Sequence, residues 1–255
     1  GAANATYNNR YVLTGNWDDR QWGYQTNGFF TSQSQIDNHP VDIDGAGNVT
    51  LIVGNLIKID QNGDNLIDWR DQVVIGQGGM PKWNYSTNMG AKYKNWSLDM
   101  LWQGATGYTI TFGGAAGPWS HSGHQTVSKS FAYENRSIRG ANGDIEILRA
   151  FPPTFTTGGM PQIDQPASDF NKVDAMYLRL KTISLSYNIP KNIVDKIGLT
   201  SIQLYLAGSN LLTIDNLGVY SGSYDPEIVT GTAGGNIDRA YPNNKTLTTG
   251  IKIGF

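Results

Sequence analysis

The 255-residue sequence has no cysteine, which excludes a disulfide framework, a thiolate nucleophile, a zinc ribbon and an iron–sulfur cluster. Charge is scarce as well. Asp, Glu, Lys and Arg make up 16% of the chain, against about 25% in soluble domains. The formal net charge of −2 leaves no surplus of cations to neutralise phosphates, which argues against a nucleic-acid partner. No apolar run approaches the roughly 18 residues of a membrane-spanning helix, and the opening GAANATYNNRY has neither the basic nor the apolar region of a signal peptide. A membrane, if this chain meets one, is crossed by strands. What the sequence does have is 39% hydrophobic residues, 31 Gly, 13 Tyr and 7 Trp. That is too apolar for a disordered tail, and it suggests an all-β protein with an unusual surface.

Two-residue periodicity alternates with long stretches rich in Gly, Asn, Ser and Pro, and amphipathic helices are nearly absent. From Trp83 to Tyr93 the alternation is complete: Trp83, Tyr85, Thr87, Met89, Ala91 and Tyr93 fall on one face, with Asn84, Ser86, Asn88, Gly90 and Lys92 on the other. After Lys94-Asn95 the next strand places Trp96, Leu98, Met100 and Trp102 together. A two-residue hairpin in this register pairs Tyr93 with Trp96, Ala91 with Leu98, Met89 with Met100 and Thr87 with Trp102, so every apolar side chain shares one face. Aromatics stand at both ends of that face, with smaller residues between. Such a layout fits the headgroup belts of a membrane barrel better than a sandwich core.

Further strands are expected over Tyr177–Tyr187, Ile202–Leu212 and the last residues. The first of these changes parity, because Leu178 and Leu180 oppose Ile183, Leu185 and Tyr187, which predicts a bulge. Between these two strands, Ile189 to Gly198 reads as a turn with a short helix closed by Gly198. In the last strand Leu247, Thr249, Ile251, Ile253 and Phe255 face one way, and Thr248 and Lys252 the other. With one more strand near Tyr7 to Thr14, about six antiparallel strands are expected. Short connections alternate with long ones at about 14–82, 106–175 and 214–243, as in outer-membrane barrels with short periplasmic turns and long extracellular loops. Leu247, Ile251, Ile253 and the terminal Phe255 then form the edge strand that marks a barrel for membrane assembly.

Candidate sites are few. Asp60, Asn62, Asp64, Asp68 and Asp71 occupy positions 1, 3, 5, 9 and 12 of a twelve-residue loop, with Leu66 at the carbonyl position 7, which is EF-hand-like spacing for calcium. Asn65 stands where Gly is usual, and Asp71 where a longer Glu is usual. The bland alternative is an Asx-rich turn. His121 and His124 lack a third metal ligand at recognisable spacing. Gly76-Gln-Gly78-Gly79 lacks the helix of a phosphate loop, and no catalytic constellation is present, so no enzyme is expected. Trp119, Tyr220 and Tyr224 lie in long loops, either packing there or stacking on a ligand.

Several segments resemble one family. IDQNGDNLIDWRDQVVIGQGGMPKWNYSTNMGAKYKNWSLDMLWQGATG is similar to the stretch of SusC/RagA-type TonB-dependent transporters in which an Asp-rich loop, an I-G-x-x-x-P-K turn and a strand pair follow one another. WGYQTNGFFTSQSQIDN, YLRLKTISLSYNIPKNIVDKIGLTSIQLYLAGSNLLTIDN and YPNNKTLTTGIKIGF resemble neighbouring landmarks of that family. The resemblance implies that residues 1–255 are the C-terminal portion of a large transmembrane β-barrel in the bacterial outer membrane, without its plug domain. It also implies TonB-dependent import of an oligosaccharide or oligopeptide, with a SusD-like surface lipoprotein and the rest of barrel and plug as partners. The alternative is a soluble calcium-stabilised β-sandwich that binds carbohydrate.

Overall fold

In a computed structural model, residues 19–112, 134–153, 167–228 and 243–255 are described. The expected strand near Tyr7 to Thr14 lies outside them, as do Trp119, His121 and His124. In chain order come β1 (Gln21–Gly23), β2 (Thr26–Phe29), α1 (Gln33–Asp37), β3 (Leu56–Lys58), β4 (Val73–Gly76), β5 (Trp83–Tyr93) and β6 (Trp96–Thr111). They are followed by β7 (Ile138–Arg139), β8 (Ile145–Ile147), β9 (Lys172–Asn188), α2 (Lys191–Val194), β10 (Ser201–Asp215) and β11 (Thr246–Gly254).

Five strands form one antiparallel meander in the order β11-β10-β9-β6-β5. The hairpin register is the one the sequence predicts, with Tyr93 opposite Trp96, Ala91 opposite Leu98, Met89 opposite Met100 and Thr87 opposite Trp102. Lys94 turns the corner at φ 52°. Ladders carry the same face across the sheet: Leu98 meets Leu185, which meets Leu206, which meets Thr249. This face stays open, with Met89, Trp96, Leu206 and Ile251 all exposed. Among the described residues no second sheet covers it, so the sandwich alternative lacks its core. Lipid is the environment such a face requires. Among the described residues no helix is long and apolar enough to cross a membrane.

The parity change in β9 is a bulge. Leu101 opposes Thr182 and Trp102 opposes Leu180, so Lys181 is the extra residue. Strand β10 bulges at the same height, between Ser209 and Leu212, where Asn210 takes φ 53°. Both apolar runs of β9 thereby reach one face. Gly198 closes the short helical turn at φ 73°, as expected.

Two close approaches explain glycines in the wall. A Cβ on Gly104 would lie 2.3 Å from the Tyr85 ring and 2.4 Å from the Tyr177 carbonyl. The Tyr85 ring crosses the glycine, and its hydroxyl donates to that carbonyl at 2.9 Å. The Tyr205 ring covers Gly250 in the same way on the opposite face.

Strands β6, β9 and β10 are 16, 17 and 15 residues long, more than the 9–11 that a tilted crossing needs. Their surplus is packed against the loops. Tyr108, Ile110, Phe112, Ala175 and Tyr177 from the wall bury together with Phe151, Leu217 and Tyr220 from the connections. A second cluster, Tyr24, Phe30, Ile36, Ile43, Leu51, Val53 and Ile67, lies wholly within the connection before β5. That long loop is therefore a small folded unit with its own strands. It is tied to the segment leading into β9 through Thr26, whose amide and hydroxyl donate to Asp169, and to the wall through the Gln77 amide, which donates to Thr109 Oγ1 at 3.0 Å.

Candidate functional site

The polar face of the sheet carries Asn84, Ser86, Asn88, Lys92, Ser184, Ser186, Thr248 and Lys252, in line with the alternation. Above the bulges it carries buried charge. Arg179 is 3% exposed, yet it reaches three acceptors: Asp225 Oδ1 at 2.5 Å, Glu227 Oε2 at 2.6 Å and Thr213 Oγ1 at 2.9 Å. Lys181, the bulge residue, donates to Glu227 Oε1 at 2.5 Å. Both carboxylates belong to the connection after β10. Burial pushes the Asp225 carboxyl up, but hydrogen bonds from Arg179 and from the amides of Asn243 and Glu227 outweigh it and hold the group below the usual carboxylate range. The Tyr108 hydroxyl adds a bond to the Pro226 carbonyl at 2.6 Å.

Beside this network Tyr220 stacks on Phe112, with centroids 3.6 Å apart and planes 7° off parallel, and Tyr224 meets Phe112 edge-on. Tyr220 is 4% exposed, so its ring pins the loop to the wall rather than facing a ligand. Of the two sequence readings for this residue, loop packing is the one realised.

The Asp-rich loop wraps on itself. Asn65 adopts φ 63°, the left-handed conformation position 6 needs. Asp60 accepts from the amides of Asn62, Gly63 and Asn65. Asp71, fully buried, returns to the start of the loop, accepting from the amides of Gln61 and Asp68. Asn62 and Asp64 accept from amides two residues on, and Leu66 bridges to Asp42. The Arg70 guanidinium stands between Asp64 and Asp68, with Nη2 2.8 Å from each. Its hydrogen bond and charge hold the Asp68 carboxyl below the usual range. Among the described residues no group of three or more acidic or histidine side chains is gathered to hold a metal. With two of its carboxylates already neutralised by Arg70, the loop fits calcium only if that side chain withdraws.

Sequence reasoning missed a second acidic turn, in which Asp42 and Asp44 accept from the amides of Gly45, Gly47, Ala46, Asn48 and Thr50. Its D-x-D-G-x-G-N spacing was the available signal. The Arg179 network was missed too. Its wall half was visible as two cations two residues apart in a strand, but nothing in the sequence connects them with Asp225 and Glu227. Among the assembly residues, Leu247, Ile251 and Ile253 pair with Gly208, Leu204 and Ile202, and Phe255 is 92% exposed.

An oily face open to lipid, a polar face behind it and folded loops packed on the strand ends define a stretch of the wall of a transmembrane β-barrel. Comparison with known proteins shows which barrels the chain is similar to. The chain is 26% identical over 216 residues to TonB-dependent receptor P3 and 28% identical over 210 residues to TonB-dependent receptor P26, both of Formosa agariphila. These matches cover 79% and 80% of the chain but only 19% and 20% of the relatives, so the chain spans about a fifth of their length. Its fold matches 92% of its length to the RagAB peptide transporter, with a TM-score of 0.57 and 21% identity, and to the RagAB peptide importer in its open-open state, with a TM-score of 0.56 and 20% identity. The matched regions are 23% and 22% of those chains. No protein-family model matches. The resemblance to SusC/RagA-type TonB-dependent transporters, drawn from sequence segments, is borne out.

Proposed function

We propose that residues 1–255 are the C-terminal part of a TonB-dependent importer, forming barrel wall and, in the connections before β5, between β6 and β9 and between β10 and β11, extracellular loops. The expected bounds of 106–175 and 214–243 narrow because β6 runs to Thr111, β9 begins at Lys172 and β10 ends at Asp215. The cargo is an oligopeptide or oligosaccharide too large for porins. A SusD-like lipoprotein would close the barrel from outside, and TonB would act through a plug domain. The observation that carries this reading is a polar strand face behind a lipid face, with a long connection bonded inward onto it; the named relatives support it. In the assembled transporter, uptake of a fluorescent oligopeptide or oligosaccharide mixture is expected to stop when the proton gradient is collapsed. Deleting Phe255 is expected to lower the amount of barrel in the outer membrane. Uptake that ignores the gradient would overturn the import reading, and full assembly without Phe255 would overturn the assembly role of the last strand.

Calcium enters this reading as an ordering ion for the 60–71 loop, in exchange for Arg70. Arg70→Gln is expected to increase the protection from protease that millimolar calcium gives the loop, because two carboxylates lose their internal counterion. Identical cleavage with calcium and with chelator, in both proteins, would remove calcium from the reading.

A further inference from the structure

Resting on the import reading above, we propose that the Arg179–Lys181 pair is a recognition point for carboxylates on the cargo, held shut by the loop's own Asp225 and Glu227. The network lies beside a pocket of about 270 Å³ on the polar face, whose lining includes Arg179, Thr213, Asp215, Ser221, Asn243 and Lys245. The lining carries two cations, Arg179 and Lys245, against two carboxylates, Asp215 and Asp225, but of the cations only Arg179 is ion-paired among the described residues. Arg179 is satisfied by Asp225 and Glu227, and Lys181 by Glu227. Lys245, exposed at the rim, has no ion-pair or hydrogen-bond partner among the described residues. Asp215 gives both carboxylate oxygens to its own loop, accepting from the Leu217 amide and the Ser221 hydroxyl. It lines the pocket as well, but among the described residues it is ion-paired to neither Arg179 nor Lys245.

An anion entering this pocket meets Lys245 first and then the forked guanidinium of Arg179, whose geometry suits a carboxylate. To engage Arg179 it must take the place of Asp225 or Glu227. That exchange replaces one charge-assisted pair at Arg179 by another, and it frees residues 221–228 only by giving up the Asp225, Glu227 and Pro226 bonds to the wall, which cargo contacts must offset. Carboxylate binding and loop release are thus one event, and an internal carboxylate stands in for the cargo while the pocket awaits it. The same chemistry is offered by an acidic peptide and by a uronic-acid glycan.

The test uses the assembled transporter in detergent. Four probes are titrated: an Asp/Glu-rich hexapeptide, its Asn/Gln counterpart, a hexauronic acid and a neutral glucan hexamer. Protease cleavage within 221–228 is followed alongside binding. One or both acidic probes are expected to bind and to raise cleavage, and which of them does so identifies the cargo; the neutral probes do neither. Lys245→Gln, which removes no structural bond, is expected to weaken acidic binding on the order of tenfold, as losing a charge-assisted hydrogen bond should. Glu227→Gln should strengthen acidic binding and raise cleavage without ligand. Equal binding of acidic and neutral probes, or an unchanged affinity in both variants, would overturn the carboxylate site while leaving gradient-driven import standing. Loss of import itself is read in the separate uptake experiment.

Discussion

Replacing Arg179 with alanine is expected to cost about 3–5 kcal/mol, the penalty for leaving a buried ion pair half made. The size follows from geometry. Asp225 is as buried as its partner, at 6% and 3% exposed side chain, so water cannot take over the role of the guanidinium. Glu227 retains Lys181 and loses less. Arg179→Lys should recover only part of the loss, since an ammonium cannot present separate donors to Asp225, Glu227 and Thr213 in one plane. Melting of the assembled barrel gives the magnitude, and cleavage between 221 and 228 gives the location. A melting point unchanged within a degree would show that the pair carries no stability. The network also fixes a pH dependence. Because the folded Asp225 carboxyl is depressed, its contribution is complete above the ordinary carboxylate pKa near 4 and is lost as pH falls below that value.

Ile183→Arg should be as severe for a different reason. Ile183 lies on the lipid face of β9 between Met100 and Gly208, two rows from the Trp96–Tyr187 row and one from the row of Trp102. A cation at mid-membrane on that face costs about 2–4 kcal/mol. Its neighbour Ser184 faces the other way, beside Asp99 and Ala207, and Ser184→Arg should assemble normally. The comparison is made by counting folded barrel in the outer-membrane fraction. Equal yields from the two variants would mean that the face assigned to lipid is not in lipid.

The wall was legible in the sequence because each strand alternates between two solvents. A one-residue slip would move Trp96, Leu98 and Met100 out of lipid, so the hairpin register followed from side-chain type alone. Even the Lys181 bulge left a trace, in the opposed parities of Leu180 and Ile183. The loops left far less. Phe112 stacking on Tyr220, or Arg179 meeting Asp225, joins residues far apart in sequence through contacts with no period. The Asp-rich loop stands between these cases: its spacing announced oxygen ligands, but not that Arg70 would come to rest between two of them.

The five-stranded meander ends in β5 on one side and β11 on the other, and among the described residues neither has a neighbour on its outer edge. In a closed barrel each such edge is sealed by a neighbouring strand, whereas any stretch of wall that is not yet sealed offers open ladders beside an oily surface and can pair with strands of its own copies. The wall's most hazardous moment is therefore before closure, in the aqueous space it crosses on the way to the membrane. There, safety depends on escorts that mask the edges and on the speed with which the seam is sealed.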